Sequence, residues 1–179
     1  MIIRDAGPED LPGILAIYNR AIVTNTATFD LDEQTLEERT EWFSHYGGRY
    51  PIIVAEDGGE VAGYCYISPF RPKKGYDLTV ESTVYIHEDH WGKGLARVLM
   101  DEILKRARTL GYHVVIACIT GGNEASIRLH RRLGYELSGH LREVGRKFGE
   151  WQDVFFYQLN LDSPSPSSNC GKLDGKPED

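Results

Sequence analysis

The chain has 179 residues, 41% of them hydrophobic and 26% charged, which is ordinary for one globular domain with a single buried core. Its formal net charge of −7 argues against a general nucleic-acid binder, because such proteins need a basic surface. No apolar run approaches the roughly 20 residues of a membrane-spanning helix. The N-terminal MIIRDAGPED lacks the basic and then apolar pattern of a signal peptide. We expect no membrane association.

The cysteines Cys65, Cys118 and Cys170 are far apart in the sequence. Cys65 and Cys118 lie inside apolar runs, where a cysteine is typical of a small buried hydrophobe rather than of a disulfide or a nucleophile. This usage predicts a protein of a reducing compartment, the cytoplasm.

The composition changes sharply after the segment FFYQLNL. The following DSPSPSSNCGKLDGKPED has no aromatic residue and a single leucine, so it cannot bury enough apolar surface to offset the entropy lost on ordering. We predict a folded domain over residues 1–161 and a flexible tail rich in Ser, Pro and Gly over residues 162–179.

Two helices and a hairpin are predicted in the first part of the chain. In PEDLPGILAIYNRAI, apolar residues recur at helical spacing, with Pro8 near the start. The residues of this stripe are Leu11, Ile14, Leu15, Tyr18 and Ile22. TLEERTEWFSHYG predicts a shorter helix ending near Gly47. PIIVAEDGGEVAGYCYISPF then predicts two strands joined by a turn at Asp57, Gly58 and Gly59.

Strands and helices alternate in the second part. LTVESTVYI, rich in β-branched residues, predicts a strand, and a long helix follows from about Lys93 to Leu110, stopped by Gly111. The inward residues of this helix are predicted to be Leu95, Val98, Leu99, Ile103 and Ala107. VVIACI predicts a short buried strand, and NEASIRLHRRL a helix with Asn123 as N-cap and Gly134 after its end. The strands YELSGHLREVG and WQDVFFYQLNL complete a mixed sheet with helices on both faces.

The glycine-rich loop HEDHWGKGLA lies between a predicted strand and a predicted helix. It matches neither the phosphate loop of nucleoside triphosphatases nor the dinucleotide fingerprint. His87 and His90 lack a third nearby ligand, so no metal site is expected. Two alternatives remain, a plain glycine turn and an anion site formed by the free N–H groups of the helix N-terminus.

Two segments together resemble the GNAT acetyltransferase superfamily. The strand STVYI, the loop GKGLA and the helix RVLMDEILKRA resemble its pyrophosphate-binding motif, and NEASIRLHRRLGY resembles its second coenzyme A motif. FRPKKGYDLTVESTVYI and GRKFGEWQDVFFYQ are similar to the branch with phosphinothricin and methionine sulfoximine N-acetyltransferases. The resemblance covers residues 2–161. It implies an α/β (α+β) GNAT fold: a mixed, mostly antiparallel sheet of about seven strands, helices on both faces, and a splayed central strand pair.

The resemblance implies acetyl-CoA as co-substrate, with its pantetheine arm paired to the backbone of Val84 and Ile86 like an added strand. The residues that it assigns to cofactor binding are Val84, Tyr85, Ile86, Trp91, Gly92, Lys93, Gly94, Leu95, Ala96, Asn123 and Ser126. The family usually carries Gln or Arg where this chain has Trp91. Because backbone N–H groups hold the phosphates, we expect the substitution to be tolerated.

Glu81 and His130 are the candidate catalytic residues. A carboxylate inside the β-branched strand TVEST is unusual, and burial would raise its pKa toward that of a base; the alternative is a solvated glutamate on an edge strand. His130 lies where the branch places a histidine that donates to the leaving thiolate or assists deprotonation of the amine. By itself, a lone histidine on a helix is more typical of packing.

The basic segment SPFRPKKGYD precedes the candidate catalytic strand in an acidic protein. It could be a solvated loop. In the branch that the chain resembles, the matching residues bind the carboxylate and side-chain oxyanion of an amino acid, which assigns Arg71, Lys73 and Tyr76, with Phe29 in the pocket wall and Glu81 beside the amine. KFGEWQDV is expected to complete the pocket or a dimer surface; the alternative is that Trp151 and Asp153 belong to the core.

The resemblance therefore implies direct transfer of an acetyl group to a small amino-acid analogue, with no metal and no covalent intermediate, in a homodimer. Other acceptors stay open, among them a polyamine, an aminoglycoside or a peptide N-terminus, although the basic cluster disfavours polycations. A different class is also open: an acyl-CoA sensor that binds the cofactor without catalysis, in which Glu81 and His130 have no task.

Overall fold

The computed structural model describes residues 1–162. One sheet of seven strands runs in the order β1-β2-β3-β4-β5-β7-β6. The strands are β1 (Ile2–Asp5), β2 (Ile52–Asp57), β3 (Glu60–Pro69), β4 (Thr79–Ile86), β5 (Val114–Thr120), β6 (Glu136–Lys147) and β7 (Glu150–Asn160). The helices are α1 (Leu11–Thr24), α2 (Leu36–Ser44), α3 (Leu95–Thr109) and α4 (Glu124–Arg132).

The centre of the sheet is a fork. β4 and β5 are the one parallel pair of this sheet, and they pair only over Thr79–Glu81 and Val114–Ile116. Beyond Glu81 the two strands separate, while β4 continues its antiparallel pairing with β3 to Ile86. The predicted mixed, mostly antiparallel sheet with a splayed central pair is confirmed.

The two faces of the sheet are covered by different helices. α3 packs on β2, β3 and β4, and α4 packs on β5, around a core that includes Val80, Leu99 and Tyr157. α1 packs on the other face against β3 and β4, and α2 packs on α1, around Ile14, Tyr64 and other residues. We call these the α3/α4 face and the α1/α2 face.

Helix starts follow from their capping residues. Thr35 and Glu38 form a reciprocal capping box at the start of α2, and Asn123 caps α4 as predicted, accepting from the Ser126 N–H at 3.2 Å. One predicted core position of α3 is wrong. Val98 is 51% exposed, because the buried stripe of α3 turns toward Met100 and Leu104.

Two local features were missed or misassigned by pattern alone. The short edge strand β1 was not among the predicted elements; it pairs with β2, and its Arg4 bonds to the buried Asp10 at 2.7 Å. Cys65 is buried as predicted, but Cys118 is exposed. Cys118 lies on the α1/α2 face of β5, beyond the last residue that pairs with β4, so the separation of the strands uncovers it.

The tail and Cys170 lie outside the described residues, apart from Asp162. This residue, predicted to begin the tail, bonds through its carboxylate to His113 Nδ1 at 2.6 Å. Within residues 1–162, no helix combines the length and the apolar character needed to cross a membrane. The same residues contain no group of three or more His, Cys, Asp or Glu side chains placed to hold a metal ion.

Candidate active site

The loop before α3 is shaped by glycines. Gly92 and Gly94 have φ angles of 73° and 80°, in the left-handed region that favours glycine, and a side chain built at either would meet open space. In residues 1–162, the backbone N–H groups from Gly92 to Ala96 have no hydrogen-bond acceptor. These groups and the positive end of the α3 dipole form a cradle for an anion.

Trp91 joins this cradle to β4. Its indole Nε1 donates to the Ile86 carbonyl at 2.9 Å, while the side chain is 58% exposed. The residue that departs from the family pattern therefore fastens the loop to the end of the strand. Lys93 is exposed beside it.

The free edge of β4 follows from the register with β3. The His87 N–H donates to the Ala62 carbonyl, so by the alternation of an antiparallel pair Tyr85 also points its backbone groups at β3. Val84 and Ile86 point their backbone N–H and C=O groups into the fork, where an added strand could pair with them. Tyr85 differs: its ring is buried among Tyr18 and Tyr64 on the α1/α2 face, away from the cradle.

His130 is 3% exposed on α4 and packs edge-on against the Tyr135 ring, with centroids 4.9 Å apart. Its Nδ1 lies 2.8 Å from the Ser126 carbonyl and must donate to it, since a carbonyl only accepts. Nε2 is buried without a partner in residues 1–162. Because burial lowers the His130 pKa, the ring is neutral at neutral pH, with an open acceptor at Nε2.

Glu81 is the last residue of β4 that pairs with β5. It is half-buried, and burial raises the pKa of its carboxyl group, while the Cys118 thiol and the positive charge of Arg71 lower it. The Glu81 charge in turn contributes to a raised Cys118 pKa of about 12, of which burial is the larger cause. The site therefore holds a carboxylate poised to accept a proton beside a thiol that stays protonated.

The predicted acceptor residues are exposed at the edge of this site. Arg71 lies over the Phe70 ring, 4.8 Å from its centroid, and Tyr76 packs edge-on against the same ring at 5.7 Å. Lys73 precedes the short 3-10 turn that carries Tyr76. Phe29, 37% exposed, comes from the connection between α1 and α2. The structure thus brings Arg71 near Glu81, and it shows no contact of Lys73 with either.

Sequence reasoning missed an aromatic wall on the α1/α2 face. Trp42, Tyr46 and Tyr66 pack against one another with centroids 4.7 to 5.3 Å apart. Burial raises the pKa of Tyr46, and the nearby Glu81 carboxylate adds to this effect. Cys118 was missed as well. The alternation of VVIACIT could have shown that Ile116, Cys118 and Thr120 share the face of Glu81 once the register was known.

Fold and site together define an acyl-group transferase of the kind that holds its donor in a forked sheet. A family model described as "Acetyltransferase (GNAT) family" matches residues 14–135. The chain belongs to the GNAT family and is an N-acetyltransferase.

Individual relatives within the family include acetyltransferases that act on amino-acid analogues. The chain is 51% identical over 162 residues to the L-methionine sulfoximine/L-methionine sulfone acetyltransferase of Pseudomonas paraeruginosa, covering 89% of this chain and 94% of that protein. It is 40% identical to the phosphinothricin N-acetyltransferase of Streptomyces viridochromogenes, covering 92% and 90%. The solved structure of a GNAT-superfamily phosphinothricin acetyltransferase from Sinorhizobium meliloti in complex with AcCoA superposes with a TM-score of 0.87 at 38% identity, covering 89% and 88%.

Proposed function

We propose that this enzyme transfers the acetyl group of acetyl-CoA to the α-amino group of a small amino-acid analogue such as methionine sulfoximine, methionine sulfone or phosphinothricin. One observation carries the proposal: a half-buried carboxylate, Glu81, lies at the fork with Arg71 nearby, while the anion cradle opens at the other end of β4. The activities of the related acetyltransferases support the same acceptors.

Acetyl-CoA fits the free groups of the fork. The unpaired N–H groups from Gly92 to Ala96 would hold its diphosphate, and the free backbone edge at Val84 and Ile86 would pair with the pantetheine arm. The Ile86 carbonyl is already bonded to Trp91, so the Ile86 N–H and both groups of Val84 are the partners left for the arm. Asn123 uses its side-chain oxygen as the α4 cap, which leaves its amide nitrogen for the cofactor.

The transfer needs one base and a stabilised oxyanion. The amine nitrogen attacks the thioester carbon, the new C–N bond forms, and the C–S bond breaks with its electron pair going to sulfur. Glu81 accepts one proton of the ammonium group, directly or through water, because its raised pKa makes it a better base than an exposed glutamate. The second proton, which the nitrogen loses after the attack, goes to the departing thiolate. N–H groups on the free edge of β4 stabilise the oxyanion.

His130 takes part on the opposite face of the sheet. Its Nδ1 proton is held by the Ser126 carbonyl, and Nε2 is an acceptor, so the resting ring cannot donate a proton to sulfur. We infer that coenzyme A leaves as a thiolate, and that His130 offers a hydrogen-bond acceptor at Nε2 on the cofactor side rather than a proton. Of the two roles weighed for His130, this tautomer disfavours direct proton donation to the leaving thiolate.

Arg71, Lys73 and Tyr76 would bind the carboxylate and the side-chain oxyanion of the acceptor, with Phe29 in the pocket wall. The support is the positive charge of Arg71 near Glu81 and the shared packing of Arg71 and Tyr76 on Phe70. An arginine suits bidentate capture of a carboxylate, and a lysine supplies a point charge. Detoxification of such analogues, including herbicide resistance, would follow from this acceptor range.

We also propose a homodimer, a cytoplasmic location, a reaction without metal, and a folded domain that ends at residue 161. The dimer is supported by large apolar side chains exposed on the β6–β7 hairpin. They are Leu137, Leu141, Val144, Phe148 and Trp151. Several large apolar side chains exposed on one hairpin are typical of an interaction surface. Sedimentation of the full chain and of Trp151→Glu tests the dimer, which the variant should weaken.

Thiol release from acetyl-CoA, measured against a panel of amines, tests the activity. The panel contains methionine sulfoximine, methionine sulfone, phosphinothricin, ordinary amino acids, spermidine and a short peptide. Release with the first three acceptors and none with spermidine is the expected result. Release with spermidine or the peptide alone would replace the proposed acceptor class. Tight acetyl-CoA binding without release from any amine would favour an acyl-CoA sensor.

A further inference from the structure

The connection between α1 and α2 crosses the open end of the fork. We call its residues 26–30 the strap. Tyr85 of β4 donates to the Ala27 carbonyl at 3.4 Å, and Thr120 of β5 donates to the Thr26 carbonyl at 2.6 Å. The strap is therefore bonded to both prongs of the fork, on the α1/α2 face where Glu81 lies.

Tyr18 of α1 also holds the strap. Its hydroxyl donates to the Asp30 carboxylate at 2.7 Å and lies 2.9 Å from Thr28 Oγ1. The guanidinium of Arg39 is 2% exposed and stacks on the Tyr18 ring at 3.9 Å, which fixes the tyrosine in place. Three elements thus define where the strap runs.

The fourth attachment is the unexpected one. Lys147, the last residue of β6, is 3% exposed, and its Nζ donates to the Thr28 carbonyl at 2.7 Å. Within residues 1–162 it forms no ion pair. Burial lowers the Lys147 pKa, and the nearby charge of Asp30 offsets this only in part. Burying a lysine without an ion pair costs folding free energy. The bond between Lys147 and the strap therefore needs an explanation other than stability.

A second residue of β6 touches the strap two positions earlier. A methyl group added at Gly145 would lie 2.4 Å from the Phe29 ring, so the ring rests directly on the glycine. Gly145 also ends an irregular stretch of β6, where the register with β7 shifts between Leu141 and Gly145. The end of β6 thus contacts the strap twice. Lys147 binds the carbonyl of Thr28, just before Phe29, and Gly145 packs against the Phe29 ring.

We propose that Lys147, together with Gly145, is a positioning residue of the acceptor pocket: it holds the strap so that Phe29 forms the pocket wall. The inference rests on the proposed function, which places Phe29 beside the acceptor. It extends the site to Gly145 and to the start of the segment KFGEWQDV, whose role the sequence left open. Lys147 acts through the strap and contacts neither substrate.

Kinetics of Lys147→Met test the proposal. The variant keeps the length of the side chain and loses the bond to Thr28, so KM for methionine sulfoximine should rise at least fivefold, while KM for acetyl-CoA stays within twofold. Arg146→Met is the matched control, because Arg146 is the exposed neighbour on the same strand and should leave both constants unchanged. A rise in both KM values for Lys147→Met, or in neither, would overturn the proposal.

A double-mutant cycle separates positioning from general stability. If Lys147 acts through Phe29, adding Lys147→Met to Phe29→Ala should cost little more than Phe29→Ala alone. Additive effects on KM would instead show that Lys147 serves the pocket by another route. If Lys147→Met does not fold, Gly145→Ala gives the same test, since its methyl group displaces the Phe29 ring without disturbing a buried charge.

Hydrogen exchange tests the strap without any assay of activity. Peptides covering residues 24–32 should exchange faster in Lys147→Met than in the wild-type chain, with no change in peptides covering α3. Faster exchange in a protein that acetylates none of the amines would keep the strap and refute the proposed function. Unchanged exchange together with unchanged KM would refute the role of Lys147 and leave the proposed function intact.

Discussion

Glu81 and His130 lie on opposite faces of the same sheet. Glu81 shares the α1/α2 face with Tyr85, because residues four apart on a strand point the same way. His130 packs on Tyr135, whose hydroxyl lies 3.0 Å from Ser82 Oγ on the α3/α4 face of β4. The two side chains therefore lie on opposite sides of the plane of the fork.

The first prediction concerns Glu81→Gln. Loss of the base should lower turnover about 100-fold, which is in the range of general acid–base catalysis. Acetyl-CoA should bind as before, because the cradle and the free edge of β4 do not involve the carboxylate. Steady-state kinetics and titration calorimetry measure the two quantities, and unchanged turnover would remove Glu81 from the mechanism.

The second prediction concerns Arg71→Ala. Arg71 lowers the Glu81 pKa, so its removal should raise that pKa further. The acid limb of kcat/KM should move to higher pH, and KM for the amino acid should rise. Lys74→Ala, a neighbouring exposed change outside the assigned pocket, is the control and should leave the limb in place. A shift of the limb to lower pH would contradict the electrostatic assignment.

The third prediction uses the thiol of Cys118. Although exposed, it should react slowly with iodoacetamide at neutral pH, because its pKa is raised to about 12 and the thiolate is the reactive form. Glu81→Gln removes one cause of that shift and should speed up alkylation. Mass spectrometry of the Cys118 peptide gives the rate. Cys65, which is buried, should stay unmodified in both proteins and serves as the internal reference.

The fourth prediction concerns Trp91→Phe. The change removes the indole N–H that holds the Ile86 carbonyl and keeps an aromatic ring. A single hydrogen bond contributes roughly 0.5–1.5 kcal/mol, so KM for acetyl-CoA should rise about 2- to 10-fold. KM for the acceptor should not change. Equal increases in both constants would indicate that Trp91 supports the whole site rather than the cradle.

The fifth prediction is a pH dependence of stability. The folded-state pKa of Glu81 is raised, so its protonated form stabilises the fold at low pH, and this contribution is lost as the pH rises through the folded pKa. Glu81→Gln should therefore melt at a higher temperature than wild type at pH 7. The difference should shrink as the pH falls below the ordinary glutamate value of about 4.3. Thermal melts across this range measure it, and a less stable variant at pH 7 would show that the charged carboxylate is net stabilising.

Local patterns were sufficient for most of the elements. The helical stripes, the hairpin turn and the glycine loop depend on residues close together in the chain, and so does the Asn123 cap of α4. The predicted burial of Val98 was wrong because apolar residues occur on two adjacent rows of α3, and only the packing against the sheet decides which row is buried. The edge strand β1 is too short for its alternation to stand out.

The sequence by itself determined the family, the fold class and the chemistry, because those depend on motifs whose residues are near neighbours. Tertiary structure alone decided which side chains share a face of the fork. Cys118 lies beside Glu81 only because β4 and β5 are adjacent and then diverge, and Lys147 reaches Thr28 across 119 residues of sequence. Alternation along one strand indicates which residues share a side, but strand order and register decide what they meet there.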